Sequence, residues 1–268
     1  MCGRYAASRR PEDLVEEFDI ERVDVRETLA ADYNVAPTKP VYAVLERPSR
    51  DAADGAQARR RLTVVRWGLV PWWAKDVSIG SRLINARMET VADKPAFREA
   101  FATRRCLLPA DGYFEWYVTD EKTATGRPKK QPFYITPADG GVLAMAGIYE
   151  VWRDRKRDRD DPEAYRWTCA VLTTRAEDAL GKIHDRMPLL VEPVRYSRWL
   201  DSTVTDSGTL LDLLVPAAPG RLEAYPVHTL VNDVRNNGPE LVEPLAPDLL
   251  GQPSSLHAGS APDPDPAR

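Results

Sequence analysis

Cysteine is scarce in this chain, which has three cysteines among 268 residues: Cys2, Cys106 and Cys169. An odd number of widely separated cysteines argues against a disulfide framework, so we expect three free thiols. No C-x2-C pair occurs, and structural zinc sites usually need such short spacings. A glycine-rich phosphate-binding motif is also missing. We therefore expect neither a metal site nor a bound cofactor.

Long apolar runs are missing too, although 43% of the residues are hydrophobic. A membrane-spanning helix needs about 18 or more consecutive apolar residues, and no segment approaches that length. The first residues of the chain have no apolar stretch behind their positive charges, so a secretory signal is not expected. These features predict a cytoplasmic protein with no membrane partner.

The chain also lacks an excess of basic residues, because 41 acidic residues outnumber 37 lysines and arginines and give a net charge of −4. Phosphate-binding proteins normally carry a basic footprint, so the overall charge does not predict a nucleic-acid partner. The charge is unevenly distributed. From 238 to 268 the acids Glu240, Glu243, Asp248, Asp263 and Asp265 oppose Arg268 alone, which accounts for the whole −4. The charges of the preceding residues sum to zero, so a local basic groove in that part of the chain is still an alternative.

Hydrophobic patterning predicts a mixture of helices and strands. A helix-start proline followed by acids, with Leu14, Val15 and Phe18 on one face, predicts a helix over 11–20. Further helices are predicted over 95–103, 175–180, 194–200 and 207–214. Runs rich in β-branched and apolar residues predict strands over 41–45, 62–67, 106–109, 133–136, 142–148 and 167–173. Because strands and helices mix without a regular βαβ alternation, we predict an α+β fold.

Three polar segments interrupt this pattern, at 48–61, 119–130 and 153–163. Such charged runs are usually solvated loops, and we assign Arg59, Arg60 and Arg61 to the first of them. The residues after 247 are mainly small or polar and lack periodicity, which predicts a disordered tail over 248–268. The length suits a single domain over 1–247 that carries the polar segments as insertions.

Cys2 is the most informative single residue because a small side chain after the initiator methionine favours excision of that methionine. Excision leaves an α-amine beside a thiol, with ordinary pKa values of about 8 and about 8.5. Toward an aldehyde, the amine can form a Schiff base, and the thiol can then close onto the same carbon as a thiazolidine. Intramolecular closure of this kind is strongly favoured. Taken alone, however, an incidental cysteine at a frayed terminus is the simpler interpretation.

A series of ordered motifs reverses that interpretation. They are Met-Cys-Gly-Arg-Tyr at 1–5, Tyr-Asn-Val-Ala-Pro-Thr at 33–38, Trp-Gly-Leu-Val-Pro-Trp-Trp at 67–73, Ile-Asn-Ala-Arg at 84–87 with Glu-Thr at 89–90, Gly-Tyr-Phe-Glu-Trp at 112–116, His-Asp-Arg-Met-Pro at 184–188, and Val-Asn at 231–232 with Gly-Pro-Glu-Leu at 238–241. In these motifs and their order the chain resembles the SOS-response-associated peptidase (SRAP) family. The resemblance implies a compact mixed β-barrel-like sheet with flanking helices. It also implies covalent crosslinking of abasic sites in single-stranded DNA through the mature N-terminal cysteine.

The resemblance assigns roles to four residues. Cys2 would be the nucleophile, Asn85 would orient its amine, and Glu115 and His184 would transfer protons. A buried carboxylate can act as general acid and base, and a histidine titrates near neutrality. Each partner also has a simpler interpretation: Glu115 could face solvent on a strand, His184 could be a surface or capping residue, and Asn85 could stabilise a turn.

The resemblance further implies DNA contacts, in a monomeric protein that associates with the nucleoid when bound to DNA. The implied contact residues are Arg4, Asn34, Pro37, Pro71, Trp72, Trp73, Arg87 and Arg186. Bases can stack on the two tryptophans, and guanidinium groups match phosphate geometry. We expect one of the two tryptophans to be a core residue instead, and Arg87 could merely pair with a neighbouring acid.

Two other functions fit the same residues. Cys2 could attack an acyl carbon as the nucleophile of a thiol peptidase or amidohydrolase, with its own amine, Glu115 or His184 as base. Alternatively, the protein could bind single-stranded DNA without a covalent step. One departure from the family pattern concerns His228, because the family commonly has serine there, after Pro226 and Val227. His228 could replace a hydroxyl contact to DNA or simply face solvent.

Overall fold

The structure is a computed structural model that describes residues 2–47, 59–176, 178–214 and 220–246. Its strands are β1 (Tyr5–Ala7), β2 (Arg22–Asp24), β3 (Asp32–Val35), β4 (Pro40–Arg47), β5 (Arg59–Trp67), β6 (Asn85–Arg87), β7 (Arg105–Ala110), β8 (Gly112–Lys122), β9 (Pro128–Pro137), β10 (Leu143–Arg153), β11 (Tyr165–Arg175), β12 (Arg186–Pro188) and β13 (Leu222–Pro226). Its helices are α1 (Pro11–Glu17), α2 (Arg98–Thr103), α3 (Tyr196–Leu200) and α4 (Ser207–Asp212).

Five long strands form a closed barrel in the order β11, β10, β7, β4 and β5. Neighbouring strands in this order are antiparallel, and a short parallel pairing of β5 with β11 closes the circuit, with Arg66 opposite Thr168 and Trp67 opposite Cys169. Closure gives the long strands partners on both sides. The short strands β6 and β12 add to β11 and β2 adds to β5.

A second sheet, in the order β13, β9, β8, β1 and β3, packs against the barrel. Side chains alternate along the barrel strands, so Tyr42 and Val44 join a core with the helices, whereas Val41 and Ala43 join a core with the second sheet. That second core contains Cys2. The α+β fold with a barrel-like sheet and flanking helices is therefore confirmed.

Most of the predicted elements lie where the sequence indicates. All six predicted strands fall within or nearly within observed ones, and the helices predicted over 11–20, 95–103, 194–200 and 207–214 are present in shorter form. The helix predicted over 175–180 is wrong. Residues 173–175 pair with β12, which extends β11 through Arg175, and only a 3-10 turn follows at Asp178–Lys182.

Two predicted loops are also wrong. The segment 119–130 is largely a β-hairpin, because β8 continues to Lys122 and β9 begins at Pro128. Arg59, Arg60 and Arg61 belong to β5, where Arg60 is buried and donates to Glu46 and to the Phe18 carbonyl. These polar residues form strands because cross-strand bonds and ion pairs satisfy them.

The prediction for 153–163 is confirmed in outline, since mostly exposed turns and a 3-10 helix at Pro162–Ala164 connect β10 to β11. The rest of the first insertion, 48–58, and the tail predicted over 248–268 lie outside the described residues. Among the helices of the described ranges, none is long and apolar enough to cross a membrane.

Candidate active site

Cys2 is fully buried and lies just before β1. Strand β1 pairs with β8, with Tyr5 opposite Tyr113, and the Phe114 N–H donates to the Arg4 carbonyl at 2.9 Å. This pairing fixes the first residues of the chain beside the middle of β8. The N-terminal segment is thus part of the folded core and not a frayed end.

Asn85 approaches Cys2 from a different sheet edge. It begins β6, which pairs in parallel with β11 so that Asn85 lies opposite Val171. Its Nδ2 donates to the Cys2 carbonyl at 2.7 Å. Its Oδ1 is buried and accepts no hydrogen bond from the described part of the chain. Asn85 therefore anchors Cys2 through its carbonyl, with a buried acceptor left for an additional donor.

Glu115 lies on β8 and is only 3% exposed, so the interpretation of a solvent-facing strand residue is wrong. Burial raises the pKa of Glu115 to about 7, opposed by the positive charge of the chain's amino terminus. A carboxyl group with this pKa exchanges a proton readily near neutral pH. Glu115 thus has the acidity that a general acid and base requires.

His184 completes the group in the turn before β12. Its Nε2 lies 3.9 Å from Glu115 Oε2, and its Nδ1 accepts the Arg186 N–H at 3.0 Å. Nδ1 also lies 3.0 Å from a carboxylate oxygen of Asp185. Burial is the largest cause that lowers the pKa of His184, followed by the charge of the amino terminus. Cys2, Asn85, Glu115 and His184, although distant in sequence, therefore converge.

The Cys2 thiol is not an activated thiolate. Burial raises its pKa well above the ordinary value, and the negative charge of Glu115 adds to the effect. The thiol consequently stays protonated near neutral pH and needs a base before it can attack. Glu115 is the nearby carboxylate whose charge acts on it.

Arg186 holds the two sides of the site together. Its guanidinium is buried, donates to both carboxylate oxygens of Glu89 at 2.6 and 3.1 Å, and donates to the Thr173 carbonyl at 2.6 Å. Glu89 follows β6 and Thr173 lies on β11, so this clamp fixes Asn85 relative to His184. A buried guanidinium with these partners is a poor phosphate ligand, and the predicted phosphate contact by Arg186 does not fit its position.

Arg4 and Asn34 form a second internal network. Arg4 Nη1 donates to Asn34 Oδ1 at 2.6 Å and to the Val231 carbonyl at 2.8 Å. Asn34 is fully buried, and its Nδ2 donates to the carbonyls of Asp233 and Asn236 at 3.0 and 2.9 Å. Asn34 therefore holds the segment 231–236 beside β1, and a direct DNA contact through its side chain does not fit. Arg4 is half-buried, with its guanidinium over the Trp116 ring.

The remaining predicted DNA contacts differ in exposure. Trp72 and Trp73 are 49% and 45% exposed, so the expectation that one of them is a core residue is wrong. They follow the buried Pro71 in a loop, and Trp72 Nε1 donates to Glu99 at 2.8 Å. Arg87 is exposed at the end of β6, and Pro37 is half-buried. Trp72, Trp73 and Arg87 are thus accessible to a ligand.

Sequence reasoning did not single out Asn232. Trp116 Nε1 donates to its Oδ1 at 2.7 Å, which ties the segment 231–236 to β8 next to Glu115. In the sequence, the presence of Asn232 in the Val-Asn motif is the signal that points to this residue. His228 is exposed, and its Nδ1 caps the 3-10 helix Thr229–Asn232 by accepting the Leu230 N–H. The described residues contain no group of ligands that could hold a metal ion.

The fold and the site together define a barrel protein in which a buried cysteine near the amino terminus, Cys2, lies beside Glu115 and His184. The family model described as SOS response associated peptidase (SRAP) matches residues 1–234, and the chain therefore belongs to this family. It is similar to the abasic site processing protein YoqW of Bacillus subtilis, with 37% identity over 91% of this chain and 99% of that protein. It is also similar to the abasic site processing protein YedK of Escherichia coli, with 34% identity over 91% of this chain and 100% of that protein.

Solved structures agree with the fold. A protein from Bacteroides thetaiotaomicron has a TM-score of 0.72 and 25% identity, covering 91% of this chain and 100% of that chain. A phage-related protein from Bordetella bronchiseptica has a TM-score of 0.60 and 28% identity, covering 85% of this chain and 95% of that chain. The overall fold is therefore one that solved structures share.

Proposed function

We propose that this protein recognises abasic sites in single-stranded DNA and bonds to them covalently through Cys2 after removal of Met1. The main support is the convergence of Asn85, Glu115 and His184 on the buried start of the chain. The names of the similar proteins, abasic site processing proteins, point to the same substrate. No metal or cofactor is part of the proposal.

The proposed reaction joins one aldehyde to the two nucleophiles of Cys2. The abasic sugar opens to its aldehyde as the C1′–O4′ bond breaks: His184 delivers a proton to O4′ and takes the proton of the C1′ hydroxyl in return. The amine adds to C1′ and water leaves, which gives an imine. The sulfur then adds to the imine carbon while the thiol proton passes through Glu115 to the nitrogen, and a thiazolidine results. One water molecule is released in total, and no oxidant or reductant is needed.

The buried, protonated thiol favours this order of steps. A thiol peptidase begins with sulfur attack and benefits from a thiolate, whereas burial here opposes the thiolate. In the proposed route the amine attacks first, and the sulfur closes the ring only when the carbon is already held beside it. Intramolecular closure makes even a weakly ionised thiol effective.

The accessible residues support a single-stranded substrate. Trp72 and Trp73 offer exposed rings, and stacking of a base on such a ring contributes about 1 to 3 kcal/mol without sequence preference. Arg87 offers a guanidinium for phosphate. Bases in an intact duplex are stacked on one another, so these rings suit an unpaired strand.

Intact mass spectrometry tests the proposal directly. The purified full chain is incubated with a uracil-containing single-stranded oligonucleotide that uracil glycosylase has treated. We expect protein without Met1 and an adduct equal to the sum of protein and oligonucleotide less one water. Active protein that retains Met1 would exclude the proposed nucleophile. Binding without an adduct would support a non-covalent DNA-binding module instead, and turnover of peptides would support a peptidase.

A further inference from the structure

Tyr117 carries an accessible aromatic ring on β8, two residues beyond Glu115. Its exposed fraction is 41%. Residues 115–118 of β8 pair with residues 130–133 of β9 without a register shift. Because side chains alternate along a regular strand, Tyr117 leaves β8 on the same face as Glu115, about 7 Å further along the strand. The ring of Tyr117 is thus open to solvent on the face of the hairpin that carries Glu115.

Phe133 connects the Tyr117 ring to the site. It lies directly opposite Glu115 on β9, and residues in such a cross-strand pair share a face of the sheet. The rings of Tyr117 and Phe133 contact each other edge to face, with centroids 6.4 Å apart and planes at 75°. This contact agrees with the register in placing both rings on the face of Glu115. An edge contact covers at most one broad face of each ring, so a face of the exposed Tyr117 ring is left for a stacked ligand.

The aromatic pair extends outward from the proposed acid and base. His184 Nε2 lies 3.9 Å from Glu115 Oε2. Phe133 is paired with Glu115, and Tyr117 follows it toward the tip of the hairpin. An abasic sugar that reacts beside Glu115 and His184 carries no base, but the nucleotides on both sides of it do. A base next to the abasic sugar is therefore the part of the substrate that comes within reach of Tyr117.

The chemistry of this surface suits a nucleobase better than a phosphate. Gln131 lies opposite Tyr117 and is uncharged, as is Phe133, so neither neighbour offers phosphate an ion pair. The Gln131 amide donates to two backbone carbonyls at 2.9 and 2.8 Å, which holds it in place. An aromatic ring accepts any base by stacking, without sequence preference. Tyr117 belongs to the second sheet, whereas Trp72 and Trp73 follow β5 of the barrel, so Tyr117 is a separate stacking surface.

We propose that Tyr117, supported by Phe133, is the stacking platform for the unpaired base next to the abasic sugar. This assignment rests on the function proposed above. The abasic nucleotide has no base to stack, so a neighbouring base must fix the strand along its length. Stacking of that base on Tyr117 holds the sugar in register with Cys2, Glu115 and His184. A base in an intact duplex already has stacked neighbours, so this platform selects an unpaired strand.

The test is a double-mutant cycle between Tyr117 and the neighbouring base, with Met1-free full chains. The probe is a single-stranded oligonucleotide that carries tetrahydrofuran in place of the abasic sugar, which has no aldehyde and cannot crosslink. Two further probes also lack the base on the 5′ or on the 3′ side. In wild type, removal of one of these two bases should weaken binding about tenfold. In Tyr117→Ala, binding to the first probe should be about tenfold weaker, and removal of the same base should have no further effect.

Three variants make the result specific. Tyr117→Phe keeps the ring and should behave as wild type. Val118→Ala changes the next residue, which is 52% exposed on the opposite face of β8, and should leave the cycle unchanged. Tyr117→Leu keeps an apolar contact with Phe133 without a ring, and it replaces Tyr117→Ala if urea denaturation shows that the alanine variant does not fold.

The outcomes separate this assignment from the proposed function. If base removal costs wild type and Tyr117→Ala the same factor, or if Val118→Ala abolishes the coupling as well, the Tyr117 assignment is wrong. Adduct formation by wild type with a true abasic oligonucleotide is measured in parallel. Absence of that adduct would contradict the proposed function, whereas the cycle on tetrahydrofuran DNA would still decide whether Tyr117 stacks a base.

Discussion

The motif arginines around Cys2 fall into two groups with different surroundings. Arg186 is buried and donates to Glu89 and Thr173, whereas Arg87 is exposed and makes no side-chain hydrogen bond within the described ranges. Both arginines belong to motifs beside the same site. The comparison shows that an arginine in a motif is not by itself a phosphate ligand, because a guanidinium that already has buried acceptors contributes to the scaffold.

The same division applies to the other predicted DNA contacts. Asn34 is buried and donates to three backbone carbonyls, whereas Trp73 exposes nearly half of its surface. Scaffold residues should affect stability when they are changed, and accessible residues should affect DNA binding. This division can be tested one residue at a time.

The largest effect should come from Arg186→Ala. Removing one partner of a buried ion pair leaves the other without compensation, and we expect the free energy of unfolding to fall by about 3 kcal/mol. Urea denaturation measures the change. Glu89→Gln keeps hydrogen-bonding capacity at the half-exposed partner and should cost about 1 kcal/mol. If the Arg186→Ala protein is as stable as wild type but binds DNA more weakly, Arg186 contacts DNA and is not a scaffold residue.

Glu115 should make stability depend on pH. Burial raises its pKa in the folded state from 4.5 to about 7, so the folded protein binds this proton more tightly than the unfolded chain. The resulting stabilisation is fully present below about pH 4.5 and is lost as the pH rises toward 7. Relative to Glu115→Gln, wild type should therefore lose stability across this range in urea denaturation. A constant difference between the two proteins would mean that folding does not raise the pKa of Glu115.

Trp73→Ala should weaken binding to single-stranded DNA. The loss of one stacking platform corresponds to about 1 to 3 kcal/mol, or a tenfold or greater loss of affinity in the middle of that range. Fluorescence anisotropy with a labelled oligonucleotide measures it. Tyr165→Ala removes an exposed aromatic ring outside the motifs and serves as the control. Equal losses in the two variants would argue against a specific role for Trp73.

A smaller effect is expected for Arg87→Ala. Because the side chain is exposed, stability should change by no more than about 0.5 kcal/mol. The slope of log affinity against log salt should become flatter by about 0.7. Titrations at several salt concentrations measure this slope. An unchanged slope would place the phosphate path away from Arg87.

Much of the fold could be predicted because the barrel strands are rich in β-branched and apolar residues. Strands such as β1, β6 and β12 could not, since three residues do not establish a period. The β8–β9 hairpin was missed for another reason. Its outer residues are polar on both faces, so a strand there depends on cross-strand pairing and leaves no hydrophobic alternation in the sequence.

The candidate site depended on the ordered motifs. Asn85, Glu115 and His184 lie at β6, on β8 and before β12, and only the pairing of these strands brings them to Cys2. No spacing along the chain could reveal this convergence. The sequence also could not show that Arg186 is buried and Arg87 is exposed. Each arginine lies in a motif beside the site, and the motifs do not indicate burial.

The most direct test of the central proposal separates the amine of Cys2 from its thiol. Cys2→Ala removes the thiol and, after methionine excision, keeps an N-terminal amine. The variant should form an imine with an abasic oligonucleotide that borohydride traps, but little adduct that survives heating without reductant. Wild type should give the heat-stable adduct unaided. If Met1-free Cys2→Ala gives the same heat-stable product as wild type, ring closure by the Cys2 thiol is contradicted.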